Sequence, residues 1–172
     1  RSHGLTFPAN SGSIKKPMWY YEQEHLGDNH RMSELQAALG LSQISRLSSF
    51  VKKRNNLAKI YSEFLEKMPV KTQIVSQNNK SSYHLYTIEI LDDSYSRDDL
   101  YHFLKKNGVG CQVHYIPVHT HPFYKKRGFK KGLFKNSEAY FKNCLSLPLH
   151  QRLRKKDIIE VCKKLEQFFK KK

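Results

Sequence analysis

The chain of 172 residues has few acidic residues, few cysteines and no long apolar run. Its three cysteines, Cys111, Cys144 and Cys162, form an odd and widely spaced set, which argues against a disulfide framework and fits a reducing compartment. No apolar run approaches the roughly 18 residues that a membrane-spanning helix needs, and no signal-peptide pattern is present at the start. We therefore expect a cytoplasmic protein without membrane insertion.

The shortage of acidic residues leaves a large positive charge. Only 15 Asp and Glu residues accompany 31 Lys and Arg residues, so the formal net charge is +16 at pH 7. The charge is concentrated in "YKKRGFKKGLFK" (124–135) and in the closing stretch 151–172. A solvated lysine-rich surface is one interpretation, and attraction to nucleic acid, nucleotides or an acidic membrane face is the other.

The remaining composition allows a packed core, because 38% of the residues are hydrophobic and 12% are aromatic. The first residues, "RSHGLTF", contain no initiator methionine. Residues 1–32 are rich in Gly, Ser, Asn and Pro, and their dense apolar patch is Met18 to Tyr21. We expect this segment to be the end of a domain whose body lies elsewhere in a longer protein.

Residues 33–69 have the periodicity of a long helix between domains. Ser33 and Gln36 match a capping box at its start, and Pro69 ends the pattern. The pattern is compatible with one helix, or with two helices that meet at a bend near Ser48 and Ser49. Gly40 costs about 1 kcal/mol relative to alanine in a helix, which favours close packing of another element at that position.

Residues 70–172 predict a small α+β domain with the order strand, helix, strand, helix, helix. The aromatic and β-branched stretch 81–91 predicts the first strand. Ser96 caps a helix that stops at Asn107 and Gly108, and 109–116 predicts the second strand. A helix over 137–147 and an amphipathic terminal helix, with apolar positions from Leu153 to Phe169, complete the domain.

The stretch "CQVHYIPVHTHPFY" (111–124) carries the densest chemistry. Three histidines suggest a metal, but the spacing of His114, His119 and His121 is not a recognised zinc pattern, and no CxxC or HExxH accompanies it. Cys111 alternates with valines, so we expect its thiol to face the core rather than act as a nucleophile. Two interpretations remain: an ordinary partly buried loop, or a proline-stiffened wall that binds a ligand.

A second candidate is "LGDNHRMSELQAALGLSQ" (26–43). Asn29 and Arg31 stand immediately before a capped helix start, where backbone amides favour an anion and an arginine can hold a phosphate or carboxylate with two hydrogen bonds. The alternative is that Asn29 serves the turn and Arg31 is a surface charge.

These segments, in order, resemble the DegT/DnrJ/EryC/StrS family of sugar-nucleotide aminotransferases. The resemblance rests on "RSHG", "MWYYE", "LGDNHRMSELQAALGLSQ", "YHLYTIEI", "VGCQVHYIPVHTHPFY" and "CLSLPLH". It implies the C-terminal portion of a fold type I enzyme that depends on pyridoxal 5'-phosphate. Within the family, HYIPVH and the block order are most similar to members of pseudaminic acid biosynthesis.

The resemblance also implies roles for individual residues. Asn29 matches the asparagine that reaches the cofactor phosphate of the partner subunit in a homodimer, and Arg31 follows in the same loop as a substrate contact. His114, Tyr115, Ile116 and Pro117 match the segment that lines the sugar-nucleotide site, and His119 lies nearby in the HYxPxH pattern. Asp28 and His30 depart from the aromatic residues common in the family, so Asp28 is expected to point away from the phosphate or to contact a basic neighbour.

The complete enzyme is expected to move an amino group from glutamate to the 4-keto position of a UDP-linked deoxyhexose. In the family, the Schiff-base lysine and the acid that pairs with the pyridine nitrogen lie upstream of the "RSHG" block, so we expect no catalytic residue in this chain and no activity from it alone. An alternative is a catalytically dead module that binds a nucleotide sugar or a partner subunit. A basic nucleic-acid-binding module is less favoured, because the aromatic residues do not form a stacking platform.

Overall fold

A computed structural model describes residues 3–6, 17 and 19–170. Met18 of the predicted apolar patch and residues 7–16 lie outside the described residues. The chain divides into two compact units, residues 1–46 and 47–172.

The first unit contains a short antiparallel pair of strands and one helix. Strand β1, Leu5–Thr6, pairs with β2, Glu22–Gln23. Gly4 has a φ of +74°, and a Cβ at this position would stand 1.8 Å from the carbonyl oxygen of His25, so glycine is required at this approach. The helix α1, Glu34–Ile44, begins with the predicted capping box: Ser33 and Gln36 exchange hydrogen bonds of 3.1 and 3.4 Å.

The helical region 33–69 consists of two helices. Helix α1 ends at Ile44, Ser45 and Arg46 form a turn, and α2 runs over Leu47–Leu65. The break therefore lies three residues before the predicted bend. No described atom outside helix α1's own backbone approaches the Cβ position of Gly40 within 4 Å, so the close packing predicted there is not seen within the described residues. None of the residues of α1 is buried.

The second unit is built on a three-stranded antiparallel sheet with the order β3-β4-β5. The strands are β3 (Val70–Thr72), β4 (Tyr86–Ile90) and β5 (Cys144–Leu147). The helices of this unit are α2, α3 (Arg97–Lys106), α4 (Pro122–Lys125), α5 (Lys135–Asn143) and α6 (Lys155–Phe169). The α+β class is confirmed.

Two predicted elements are wrong in this unit. Residues 109–116 do not form a strand: Gln112 makes a single bridge with Ser146, and the next amide, Val113, donates to the Gln112 side chain instead of to a neighbouring strand. The predicted helix over 137–147 ends at Asn143, and its last residues form β5, whose four side chains are all buried. Cys144–Leu147 forms a strand because pairing with β4 buries all of this apolar run, whereas a helix would leave part of it exposed.

The core lies on one face of the sheet. Alternate residues of β4 (Tyr86, Ile88 and Ile90) are buried against α2, α3 and α6. Four of the apolar positions predicted for the terminal helix, Ile158, Val161, Cys162 and Leu165, are buried in α6. Leu153 lies before the helix, and Phe168 and Phe169 are partly buried. Burial raises the pKa of Tyr86 to about 12 and that of Cys162 to about 12, because an uncharged group is favoured in an apolar core.

Arg54 of α2 connects this core to two loops. One of its guanidinium nitrogens, Nη1, donates to the carbonyl oxygens of Tyr83 (2.9 Å), His84 (3.1 Å) and Leu149 (2.9 Å). No local sequence pattern predicts this contact, because its partners lie 29 to 95 residues away. The arginine thereby fixes the loops that precede β4 and follow β5.

Candidate functional site

The predicted wall begins at His114, whose ring is fixed by a buried hydrogen-bond chain. His114 Nδ1 lies 2.8 Å from Ser146 Oγ, and Ser146 Oγ lies 3.2 Å from Thr87 Oγ1. Ser146 is only 3% exposed, so its hydroxyl has no competing solvent contact. The two strands β4 and β5 thus set the orientation of a half-buried imidazole. The peptide bond between His114 and Tyr115 is cis.

The next residues present an exposed face. Tyr115 is 71% exposed and Ile116 is 50% exposed, whereas Pro117 is buried. The edge of the Tyr115 ring meets the His114 ring at a centroid distance of 4.5 Å. The side chains of Tyr115 and Ile116 are therefore exposed to solvent, and their backbone is held between the hydrogen-bonded His114 and the buried Pro117.

A cavity of about 380 Å³ lies beside His114. Its lining includes Lys105, Cys111, Gln112 and Ser146. The Cys111 thiol is 5% exposed, and burial raises its pKa, as expected for a packing residue rather than a nucleophile. The expectation that Cys111 faces the core is confirmed.

His119 has a different environment from its neighbours. It is 7% exposed, and its Nε2 lies 2.7 Å from Glu138 Oε1. The Phe134 ring packs against the imidazole at 4.8 Å. A substrate contact through His119 stays a prediction, and the observed geometry gives the side chain an internal partner. His121, two residues on, is exposed.

Asn29 and Arg31 belong to the first unit. Both are exposed in the segment that leads into α1, and a shallow cavity of about 520 Å³ is lined by His30, Arg31, Met32 and Gln36. Asp28 contacts a basic neighbour, as expected: its Oδ2 lies 3.2 Å from His30 Nε2. Asn29, predicted for the cofactor phosphate, and Arg31, predicted as a substrate contact, are therefore in the first unit, whereas His114 to Pro117, predicted for the sugar nucleotide, are in the second.

Other classes of site find no support among the described residues. Within 3–6, 17 and 19–170, no group of three or more His, Cys, Asp or Glu side chains could hold a metal ion. Across the same residues, no helix is both long enough and apolar enough to cross a bilayer.

Comparison with known proteins decides the family. The model of the DegT/DnrJ/EryC1/StrS aminotransferase family matches residues 6–166. The chain belongs to this family. The resemblance stated from the ordered sequence blocks is confirmed, as is the fold that it implied.

Named relatives include sugar-nucleotide enzymes. The chain is 35% identical over 159 residues to the UDP-4-amino-4,6-dideoxy-N-acetyl-beta-L-altrosamine transaminase of Campylobacter jejuni, covering 91% of this chain and 40% of that protein. The structure of Helicobacter pylori PseC, an aminotransferase involved in the biosynthesis of pseudoaminic acid, matches with a TM-score of 0.80 and 27% identity, over 100% of this chain and 44% of PseC.

A third match concerns the cofactor. Spr1654 of Streptococcus pneumoniae, solved in its PLP-form, matches with a TM-score of 0.80 and 25% identity, over 98% of this chain and 41% of that one. The chain spans less than half the length of each of these three proteins.

The residues present fit one part of pyridoxal 5'-phosphate, its phosphate group. Asn29 offers an amide N–H and Arg31 a guanidinium, both on an exposed segment directly before the amide-rich start of α1. Neutral and cationic donors of this kind suit a phosphate. The carboxylate of Asp28 is the unfavourable neighbour, and its contact with His30 places a basic group next to it.

Three contacts described above were missed from the sequence: Arg54 with the loop carbonyls, Ser146 with His114, and Glu138 with His119. Each is a tertiary pairing, so no local signal in the sequence could have identified it.

Proposed function

We propose that this chain forms the sugar-nucleotide-facing part of an aminotransferase that depends on pyridoxal 5'-phosphate. The reaction assigned to the complete enzyme moves an amino group from glutamate to the 4-keto position of a UDP-linked deoxyhexose, in pseudaminic acid or related surface-glycan biosynthesis. The observation that carries this proposal is the exposed Tyr115–Ile116 face on an anchored backbone, in a chain 35% identical to a UDP-sugar transaminase.

The wall suits one end of a nucleotide sugar. The flat, exposed Tyr115 ring offers a stacking surface and a phenolic donor, and Ile116 offers apolar contact. Because His114 is held by Ser146, the wall needs little reordering when a ligand binds, which lowers the entropic cost of binding.

The positive charge of the chain would also attract a nucleotide sugar. A UDP-sugar carries an anionic diphosphate, and the chain has a net charge of +16. Such a charge increases the local concentration of an anionic ligand and its association rate, with a dependence on salt. Arg31 is proposed as a direct substrate contact from the first unit.

The cofactor's phosphate is assigned to Asn29, which would hold it across the interface of a homodimer. Pyridoxal 5'-phosphate, when bound, supplies the group that carries nitrogen between donor and acceptor. This chain's own residues would bind and orient: Asn29 at the phosphate, and His114 to Pro117 at the sugar nucleotide. In this proposal, proton transfer at the reacting carbon belongs to the family's Schiff-base lysine, and no residue of the wall is given that step.

Nuclear magnetic resonance of the 172-residue chain, titrated with UDP-N-acetylglucosamine, tests the proposal. Saturable shifts are expected at the amides of His114, Tyr115 and Ile116, and weaker ones at Arg31. The same titration with N-acetylglucosamine alone is the control for the nucleotide. Shifts confined to lysines of α6 would contradict the proposal, since they would report only charge attraction.

A further inference from the structure

One carboxylate oxygen of the second unit accepts two hydrogen bonds that close a loop. Glu138 Oε1 lies 2.7 Å from His119 Nε2 and 2.7 Å from the backbone nitrogen of Gly132. The Glu138 side chain is 18% exposed and that of His119 is 7% exposed. These bonds lower the pKa of Glu138, the bond from His119 being the larger cause, so the carboxylate is the form that the site holds.

The loop closed by these bonds carries little apolar burial of its own. Within residues 119–132, Phe123 is 57% exposed and Phe129 is 39% exposed, and Leu133 next to it is 57% exposed. Gly128 and Gly132 have φ values of +92° and +93°, which permit the turns. The two bonds to Glu138 therefore tie a loop with little apolar anchoring to α5.

Glu138 is on α5, a helix that is itself fixed. The main-chain oxygen of Phe141 accepts from Arg97 Nη1 at 3.2 Å, and the Arg97 guanidinium also lies over the Phe141 ring at 5.0 Å. Arg97 in turn begins α3, whose Leu100 and Leu104 are fully buried. The carboxylate is therefore presented from a rigid part of the unit.

The loop follows the proposed substrate wall without a gap. Pro117 is buried, and its carbonyl oxygen accepts from Thr120 Oγ1 at 2.7 Å, so the wall and the turn that contains His119 are one continuous piece of backbone. Movement of His119 would consequently move Tyr115 and Ile116, which lie four and three residues before it in the same backbone segment.

We propose that Glu138 is a positioning residue for the nucleotide-sugar wall, acting through His119 and Gly132. This inference rests on the proposed function. It assigns to Glu138 no contact with substrate: the carboxylate fixes the loop 119–132, and the loop fixes the orientation of Tyr115 and Ile116.

The test compares Glu138→Ala and Glu138→Gln with Glu66→Ala, a control that removes an equivalent charge from an exposed site of the same unit. Hydrogen exchange of residues 117–133 is measured by mass spectrometry, together with the thermal midpoint and the affinity for UDP-N-acetylglucosamine. The glutamine variant keeps an oxygen acceptor and should restore both the hydrogen exchange and the affinity. A general loss of stability would raise exchange throughout the unit, including β4.

We expect Glu138→Ala to raise exchange in 117–133 on the order of tenfold, with β4 unchanged. Its affinity for the nucleotide sugar should fall by about tenfold, because the wall must then be ordered on binding. Glu138→Gln and Glu66→Ala should stay close to the unaltered chain in both readouts.

The outcomes separate the two proposals. Unchanged exchange in Glu138→Ala overturns the positioning role, whatever the ligand does. Raised exchange with unchanged affinity overturns it as well, because the wall then works without the carboxylate. If the unaltered chain binds no UDP-sugar, the proposed function fails, and the exchange result alone decides whether Glu138 orders the loop.

Discussion

Replacing Arg54 by methionine should destabilise the second unit strongly. Methionine keeps the aliphatic length of the side chain and removes the nitrogen that donates to the carbonyl oxygens of Tyr83, His84 and Leu149. These three oxygens would lose a charged donor, and the loops that they belong to border the cavity beside His114.

The magnitude follows from the geometry. Nη1 carries two hydrogens and faces three acceptors at 2.9, 3.1 and 2.9 Å, so at least one hydrogen is shared. A hydrogen bond to a charged group contributes roughly 1.5–3 kcal/mol, and two of them at the lower end give about 3 kcal/mol. For a chain of this size that corresponds to about 6–12 °C in the thermal midpoint.

Circular dichroism at 222 nm during urea and thermal unfolding measures the effect. Lys53→Met is the matched control, because Lys53 is the exposed preceding residue of α2, and it should change the free energy of unfolding by less than about 0.5 kcal/mol. If Arg54→Met lies within about 0.5 kcal/mol of the unaltered chain, the three bonds do not hold the loops and the reasoning is refuted.

Three further predictions concern the site and the cofactor. Ser146→Ala should lower the free energy of unfolding by about 1–3 kcal/mol, because it leaves Nδ1 of His114 without its hydrogen-bond partner. Urea unfolding measures the change, with Ser137→Ala as the control, and an unchanged free energy of unfolding in Ser146→Ala would contradict the prediction. The pKa of Glu138 is lowered from an ordinary value of 4.5, so its stabilising effect is complete above that value and is lost as the pH falls through the lowered folded value. The difference in unfolding free energy between the unaltered chain and Glu138→Ala should therefore shrink below about pH 4.5, and a difference that grew on acidification would refute the assignment. Borohydride reduction after incubation with pyridoxal 5'-phosphate should modify no single lysine preferentially, as peptide mapping would show, and stoichiometric labelling at one lysine would contradict this expectation.

Local signals predicted the starts of α1 and α3 and the end of α3. Ser33 with Gln36, and Ser96 before α3, satisfy orphan amides within one turn, so the residues that make the cap are adjacent in sequence. The stop of α3 at Asn107 followed by Gly108, with a φ of +75°, is equally local. Such features depend on a few neighbouring residues and need no knowledge of the fold.

The strands were harder to predict than the helix ends, because the strands that pair are far apart in the sequence. The run Cys144–Leu147 continues the apolar pattern of α5. Its strand conformation depends on pairing with β4, in which Thr87 pairs with Ser146, a residue 59 positions away in the sequence. Residues 109–116 show the converse: they have strand composition, but the ladder stops after the single Gln112 bridge. Composition predicts a preference for extended backbone, whereas pairing depends on tertiary contacts.

The order of sequence blocks was sufficient to identify the family, and the assignment of the wall to the nucleotide sugar stays a prediction. The block order was insufficient for what supports the wall, because Ser146 and Glu138 become neighbours of His114 and His119 only in the folded unit. The three histidines of one segment consequently have three environments: His114 is half-buried against a hydroxyl, His119 is buried against a carboxylate, and His121 is exposed.

The most direct test of the proposed function is the affinity of Tyr115→Ala for UDP-N-acetylglucosamine, measured by isothermal titration calorimetry on the 172-residue chain. Removing the exposed aromatic ring of the wall should weaken binding by about tenfold or more, as for other aromatic anchors. The control is His121→Ala, an exposed histidine six residues further along. Weakening in Tyr115→Ala alone is the predicted result, and equal affinities in both variants and the unaltered chain would contradict the assignment of this wall to the nucleotide sugar.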